Sequence, residues 1–157
     1  DVCSSDLDYS FWNLDEDRIR DVMDLNYMGT LLPIQVFTKD MVEKRSGSII
    51  NIASVTSILP LTKVMAYGNA KSAILNLTQW LAVHFGESGI RCNAIAPGFV
   101  ETDMTAALSE DLQKQMLETI PLKRYGQVDD IAQAAVFLAK NTYITGQVLH
   151  VDGGMCM

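Results

Sequence analysis

Ser54, Tyr67 and Lys71 have the side-chain types and spacing to move a proton on an alcohol or ketone oxygen. Tyr67 and Lys71 fall four residues apart in a run that reads as helix over residues 64–86. Four residues turn an α-helix through about 400° and advance it about 6 Å, so the two side chains share a face. A free phenol ionises near pH ~10, too high to be useful at neutrality without help. An ammonium at roughly 5 Å, at an effective dielectric of about 20, favours the phenolate by about 3 kcal/mol, or about two pKa units. Ser54 stands at the carboxyl end of the apolar stretch Gly47-Ser48-Ile49-Ile50-Asn51-Ile52-Ala53. A hydroxyl there can donate to a substrate oxygen and stabilise the negative charge that develops on it. Taken alone, a Tyr-x-x-x-Lys pair is more often a surface pair with the lysine stem lying over apolar neighbours. A strand-end serine can equally cap a turn, as Thr56 or Ser57 could.

These groups need elements to hold them. Asn13-Leu14-Asp15-Glu16-Asp17 reads as a capped helix start with acids in its first turn. Ile19, Val22, Met23 and Leu25 follow at helical spacing, and a second run continues through Leu31, Ile34, Phe37, Met41 and Val42. Asn26, Gly29 and Pro33 predict a break near Asn26, and Arg45-Ser46-Gly47 closes the helix. Gly47 to Ala53 is apolar on both faces, as an interior parallel strand would be. The helix over 64–86 carries Ala66, Ala70, Ala73, Leu77, Trp80 and Leu81 and is expected to stop at Gly86. Ile90 to Ala96 reads as the next strand, ended by Pro97-Gly98, with a loop through Thr102 after it. Helices are predicted over 109–119 and 129–140, and a last strand over 146–151 ends at Asp152-Gly153-Gly154.

Strands alternating with helices make this an α/β chain with a parallel sheet. Three strands form a narrow sheet with a bare edge that ought to pair with something, so the chain reads as incomplete at its N-terminal side. At 157 residues with 48% hydrophobic content it suits one domain. A net charge of −7 argues against nucleic acid or an anionic membrane as the main partner. The sequence shows neither a long apolar run of spanning length nor a basic-then-apolar leader, which points away from membrane and secretion. Cys3, Cys92 and Cys156 are scattered without metal-ligand spacing, and they read as reduced thiols of a cytoplasmic protein. Asp1-Val2-Cys3-Ser4-Ser5-Asp6-Leu7 has no periodicity and reads as a translated adapter rather than native protein, with a polar terminus as the alternative. The domain is therefore expected over residues 8–157.

In order along the chain stand Asn26, Ser54, Tyr67-x-x-x-Lys71, Asn93-Ala94-Ile95-Ala96-Pro97-Gly98, Thr102, Thr145-Gly146-Gln147 and Asp152-Gly153-Gly154. This set resembles the short-chain dehydrogenase/reductase family over nearly all of residues 14–155. The resemblance implies the C-terminal part of a Rossmann-like, doubly wound parallel sheet whose N-terminal strands are missing. It implies NAD or NADP as cofactor and hydride transfer between the nicotinamide and a ketone or alcohol. In that reading Tyr67 is the acid–base residue, Lys71 also bonds the nicotinamide ribose, and Ser54 orients the substrate carbonyl. Asn26 holds a water that relays protons towards Lys71. Pro97, Gly98, Val100 and Thr102 meet the nicotinamide carboxamide at the strand end.

The family's glycine-rich turn, which cradles the cofactor pyrophosphate, has no counterpart in these residues. The residue that chooses between NAD and NADP is missing with it. Residues 60–84 resemble sugar-acid oxidoreductases of the mannonate or gluconate kind. From Gly89 onward, notably Phe99 to Thr105 and Arg124-Tyr125-Gly126-Gln127, the chain is similar to 3-oxoacyl-acyl-carrier-protein reductases. The substrate implied is thus a small or carrier-bound carbonyl compound, first a 3-oxoacyl group and alternatively a sugar acid. A reading of another class is an inactive truncated fragment. The resemblance also implies a dimer or tetramer, with Leu31, Phe37, Trp80 and Val83 as interface residues. His84 is expected to pack, and Asp152-Gly153-Gly154 to be structural or at a subunit contact.

Overall fold

The computed structural model describes residues 11–61, 64–106 and 108–156. The adapter-like segment lies outside them, as do Thr62 and Lys63. Among the described residues three strands form one parallel sheet in the order β1 (Gly47–Ile52), β2 (Ile90–Pro97), β3 (Val148–Val151). Asn51 stands opposite Ala94, and Ala94 opposite Val148, so the three strands finish at one end of the sheet.

Before β1 run α1 (Glu16–Met23) and α2 (Gly29–Lys44), and α3 (Met65–Phe85) links β1 to β2. Between β2 and β3 lie α4 (Asp103–Ala106), α5 (Glu110–Thr119) and α6 (Val128–Lys140). Asp15 caps α1 by accepting from the amides of Asp17 and Arg18, and Ser109 caps α5 by accepting from Leu112.

The core forms where α3 lies on β1 and β2. Ile74, Leu77 and Leu81 are buried against the sheet, with Ile49, Ile90, Cys92, Ala94 and Ala96 beneath them. Ala66 and Ala70 are buried too, and such small side chains let the start of α3 approach the strand ends closely. The buried amides of Asn51 and Asn93 are paired, Asn51 Nδ2 donating to Thr78 Oγ1 at 2.8 Å and Asn93 Nδ2 to the Ile144 carbonyl at 2.9 Å, whereas the buried hydroxyls of Ser48 and Thr56 find no partner among the described residues. Burial pushes the Cys92 thiol up to about 12.

Some expectations need correction and others hold. No break occurs at Asn26: Asp24–Met28 is a widened π-helical turn through which α1 runs on into α2. Among the described residues β1 pairs with β2 alone, which leaves the bare sheet edge that was expected, and its Ile52 is 48% exposed. As expected, α3 stops at Gly86, which keeps right-handed backbone (φ −57°) and starts a 3₁₀ turn that ends on left-handed Gly89 (φ 74°). Arg45-Ser46-Gly47 closes α2 as expected: the helix ends at Lys44 and Arg45 turns left-handed (φ 49°). A guanidinium bond from Arg45 to the Glu87 carbonyl at 2.7 Å helps hold it there. The short α4 stands where a loop was expected.

Candidate active site

Ser54 follows β1 and opens a 3₁₀ turn, Val55–Ser57. Its Oγ accepts from the Thr56 amide at 3.2 Å while Ser57 Oγ accepts from the Ser54 amide at 3.3 Å, so the serine both caps a turn and faces a cavity. Two contacts fix that turn against α3. Ser72 Oγ donates to the Ser57 carbonyl at 2.7 Å, and Gly68 sits against the Thr56 carbonyl, where an added Cβ would stand 3.1 Å away.

On the same helix the Lys71 ammonium lies 5.6 Å from the centre of the Tyr67 ring. It also donates to the Ile52 carbonyl at 3.0 Å, which ties the lysine to the last residue of β1. Asn26 is buried in the π-helical turn, its Nδ2 donating to the Val22 carbonyl at 3.0 Å and its own carbonyl accepting from Thr30 Oγ1 at 2.9 Å. A π turn displaces backbone groups from the regular ladder, which is why a polar side chain is needed inside it.

Past β2, Gly98 donates to the Val151 carbonyl at 3.0 Å and packs on Asp152 so tightly that a Cβ would meet Asp152 Cα at 2.7 Å. The segment beyond is held from outside. Gly126 donates to the Phe99 carbonyl at 2.9 Å, and Glu101 donates to the Gly126 carbonyl at 2.8 Å. Thr105 Oγ1 accepts from the Thr102 amide at 2.8 Å and donates to the Val100 carbonyl at 3.1 Å.

Asn26, Ser54, Tyr67, Lys71, Gly98, Val100 and Thr102 all line one cavity of about 530 Å³ at the carboxyl ends of the strands. Pro97 is not among its lining residues; it closes β2, paired with Val151. The cavity lining includes a phenol, an ammonium and four hydroxyl-bearing residues, Ser54, Thr56, Thr102 and Thr105, with apolar walls from Val55, Leu61, Val64 and Phe99.

Residues 2–156 match the family model described as enoyl-(acyl carrier protein) reductase. This chain belongs to the short-chain dehydrogenase/reductase family. Among curated relatives, an uncharacterised oxidoreductase of Haemophilus influenzae is 46% identical over 155 residues, covering 92% of this chain and 54% of that protein. A 3-oxoacyl-[acyl-carrier-protein] reductase FabG of Staphylococcus epidermidis is 47% identical over 139 residues, covering 87% and 57%. The chain thus spans little more than half the length of these relatives.

Solved structures agree on the Rossmann-like fold. A candidate D-mannonate oxidoreductase of Haemophilus influenzae with bound NAD superposes with a TM-score of 0.88 at 45% identity, covering 93% of this chain and 56% of that one. A candidate 2-deoxy-D-gluconate 3-dehydrogenase of Agrobacterium tumefaciens with bound NADP also gives 0.88, at 39% identity, covering 94% and 62%.

Within this short-chain dehydrogenase/reductase chain, Gly68, Ser72, Thr105 and Gly126 hold the site together without having been singled out from sequence. Ser72 lies one residue beyond Lys71 and Gly68 one beyond Tyr67, so helical spacing alone could have placed both near the Ser54 turn. Gly126 stood in a quoted motif, but its bridge to Val100 is a long-range pairing that no local pattern reveals. Trp80 and His84 are exposed and stacked on each other, ring centres 4.5 Å apart, outside the cavity. Asp152-Gly153-Gly154 is structural: the Asp152 carboxylate accepts from the amides of Gly154 at 2.9 Å and Cys156 at 2.8 Å.

Proposed function

We propose that this chain carries the catalytic half of an NAD(P)-dependent reductase that interconverts a ketone and a secondary alcohol. The observation that carries the reading is the convergence of Ser54, Tyr67 and Lys71 on one strand-end cavity. When bound, the nicotinamide supplies or accepts the hydride at the carbonyl carbon. The residues present fit its nicotinamide and ribose end, since an ammonium, hydroxyls and the Gly98–Thr102 backbone face the same space.

In the reduction direction Ser54 Oγ donates to the substrate oxygen and orients it. The Tyr67 hydroxyl delivers the proton to that oxygen as the carbonyl carbon is reduced. Lys71 stabilises the phenolate left behind and bonds the ribose, while Asn26 and its π turn hold a water that returns a proton towards the lysine. Gly98, Val100 and Thr102 seat the carboxamide, with Pro97 setting the end of the strand.

The substrate is a small or carrier-bound carbonyl compound, first a 3-oxoacyl group. A sugar acid is the second reading; a recess of about 210 Å³ beside the site brings Thr56, Ser57, Asn69 and Ser72 together with the apolar Ile58, Pro60, Leu61, Val64 and Met65. The protein acts in the cytoplasm as a dimer or tetramer. Exposed Phe37 on α2 and Trp80 and Val83 on α3 support that assembly, whereas Leu31 packs on the core.

In the whole reading frame that contains this chain, oxidation of NADH or NADPH by a ketone should fall about 10²- to 10⁴-fold in Tyr67→Phe, with an unchanged circular dichroism spectrum. Full activity in that variant would remove Tyr67 from the chemistry. As an isolated polypeptide without a pyrophosphate cradle, the 157 residues should bind NAD(P)H weakly, and sub-micromolar binding would sink the fragment reading.

A further inference from the structure

Neither Glu101 nor Gln127 lines the catalytic cavity, yet their side chains meet just outside it. Gln127 Nε2 donates to Glu101 Oε2 at 2.6 Å, and both residues are exposed. Glu101 stands between Val100 and Thr102, which do line the cavity. The contact therefore joins the segment after β2 to a part of the chain 26 residues further on.

Two backbone bonds already cross at this place. Gly126 donates to the Phe99 carbonyl at 2.9 Å and accepts from the Glu101 amide at 2.8 Å. Both run through Gly126, so by themselves they make a pivot about which the segment can turn. A third bond one residue along, from the Gln127 side chain, removes that rotation. With a carboxylate as acceptor, such a bond is shorter and stronger than one between neutral groups. The side that holds it is rigid. Gln127 immediately precedes α6, and its amide donates to Asp130 Oδ2 at 2.8 Å. Asp130 also accepts from Arg124 Nη1 at 2.9 Å, and that nitrogen donates to the Tyr125 carbonyl as well, at 2.9 Å. Residues 124–127 are thus a closed turn built on α6, and the Gln127 side chain reaches from that turn to the segment.

We propose that Gln127 is a positioning residue: bonded to Glu101, it fixes how the backbone of Val100 and Thr102 faces the cavity and so sets how tightly the nicotinamide end of the cofactor is held. The assignment rests on the reductase reading and adds to it a determinant of cofactor affinity that lies outside the cavity. Water competes for both exposed groups, so the effect is severalfold rather than orders of magnitude.

The test is an exchange of partners in the whole reading frame that contains this chain. Gln127→Glu keeps the side chain's shape but sets a second carboxylate against that of Glu101, and like charges drive the two apart. The KM for NADH or NADPH should rise about three- to tenfold, with kcat and the KM for the ketone within about twofold of the unaltered enzyme. Glu101→Gln/Gln127→Glu brings amide and carboxylate back together the other way round, and should restore the cofactor KM to within about twofold. An unchanged cofactor KM in Gln127→Glu, or a double variant no better than the single one, overturns the assignment and leaves hydride transfer standing. A loss shared by kcat, both KM values and the melting temperature shows a merely structural contact and overturns it too. If no carbonyl compound oxidises NADH or NADPH, the reductase reading fails, and hydrogen–deuterium exchange decides whether Gln127 positions the segment. There, amides 100–105 exchanging at least about tenfold faster in Gln127→Glu and recovering in the double variant support it, and equal rates overturn it.

Discussion

Gly68 lies against the main-chain carbonyl of Thr56, with room for no more than a hydrogen between them: a Cβ would stand 3.1 Å from that oxygen. Because Tyr67 precedes Gly68 and Thr56 belongs to the turn that Ser54 caps, this contact sets the separation of the two reactive hydroxyls. Gly68→Val should therefore force the turn off α3. A misplacement of about 1 Å at reacting atoms is worth up to about 10²-fold in rate. Steady-state kinetics should show a kcat lowered about ten- to a hundredfold, with a smaller loss in Ser72→Ala, which removes the 2.7 Å bond to Ser57. Unchanged kcat in both variants would mean the turn is held by something else.

Lys71 is tied to the end of β1, donating to the Ile52 carbonyl at 3.0 Å while its ammonium lies 5.6 Å from the Tyr67 ring centre. Removing the cation removes what favours ionised phenol, so the group should lose its proton only at higher pH. For Lys71→Met, the pH optimum of alcohol oxidation should move alkaline and the maximal rate should drop. A pH–rate profile identical to that of the unaltered enzyme would separate the lysine from proton transfer.

Much of this site could be read from residue order, because its groups are local in sequence. Tyr67 and Lys71 share a helix face whatever else the chain does, and Ser54 falls at a strand end that the run from Gly47 to Ala53 announces. What could not be read depends on pairing across the fold. β1 has the composition of a strand covered on both sides and among the described residues pairs with β2 alone, the bare edge that its residues announced, but its register on β2 is a long-range pairing that no local pattern reveals. Arg45 adopts left-handed backbone at the end of α2 partly because Glu87, far along the chain, accepts from its guanidinium. Asn26 reads as a break, but the helix keeps turning through a π-helical widening in which the side-chain amide of Asn26 bonds the Val22 carbonyl.

The buried pair Asn51 and Thr78 joins β1 to α3 beneath the site. Thr78 is fully buried, and its hydroxyl donates to the Ile74 carbonyl at 2.8 Å while accepting from Asn51. Thr78→Val strips Asn51 Nδ2 of its close acceptor and leaves only the Cys92 sulfur at 3.7 Å. Leaving a buried donor unpaired costs about 1–3 kcal/mol, whereas replacing both partners by apolar groups is nearly neutral. Urea unfolding should show Thr78→Val destabilised by that amount and part of the loss recovered in Asn51→Leu/Thr78→Val. Strict additivity in that cycle would show the pair to be uncoupled.

Asp152 links the end of β2 to the C-terminal turn, since Gly98 packs on its backbone while its carboxylate gathers the amides of Gly154 and Cys156. Partial burial alone would raise its pKa. The Gly154 and Cys156 amides, the Cys156 thiol and nearby His150 outweigh that and hold the carboxyl below the usual range. A carboxyl depressed in the folded state contributes stability above its unfolded pKa, and that contribution is lost as pH falls through the folded value. Thermal melts of the unaltered chain and of Asp152→Asn should therefore differ at neutral pH, with Asp152→Asn melting lower. The gap should close only on the acid side, below the ordinary carboxylate range. A gap in melting temperature that persists unchanged into strong acid would show that the carboxylate's charge plays no part in holding the turn.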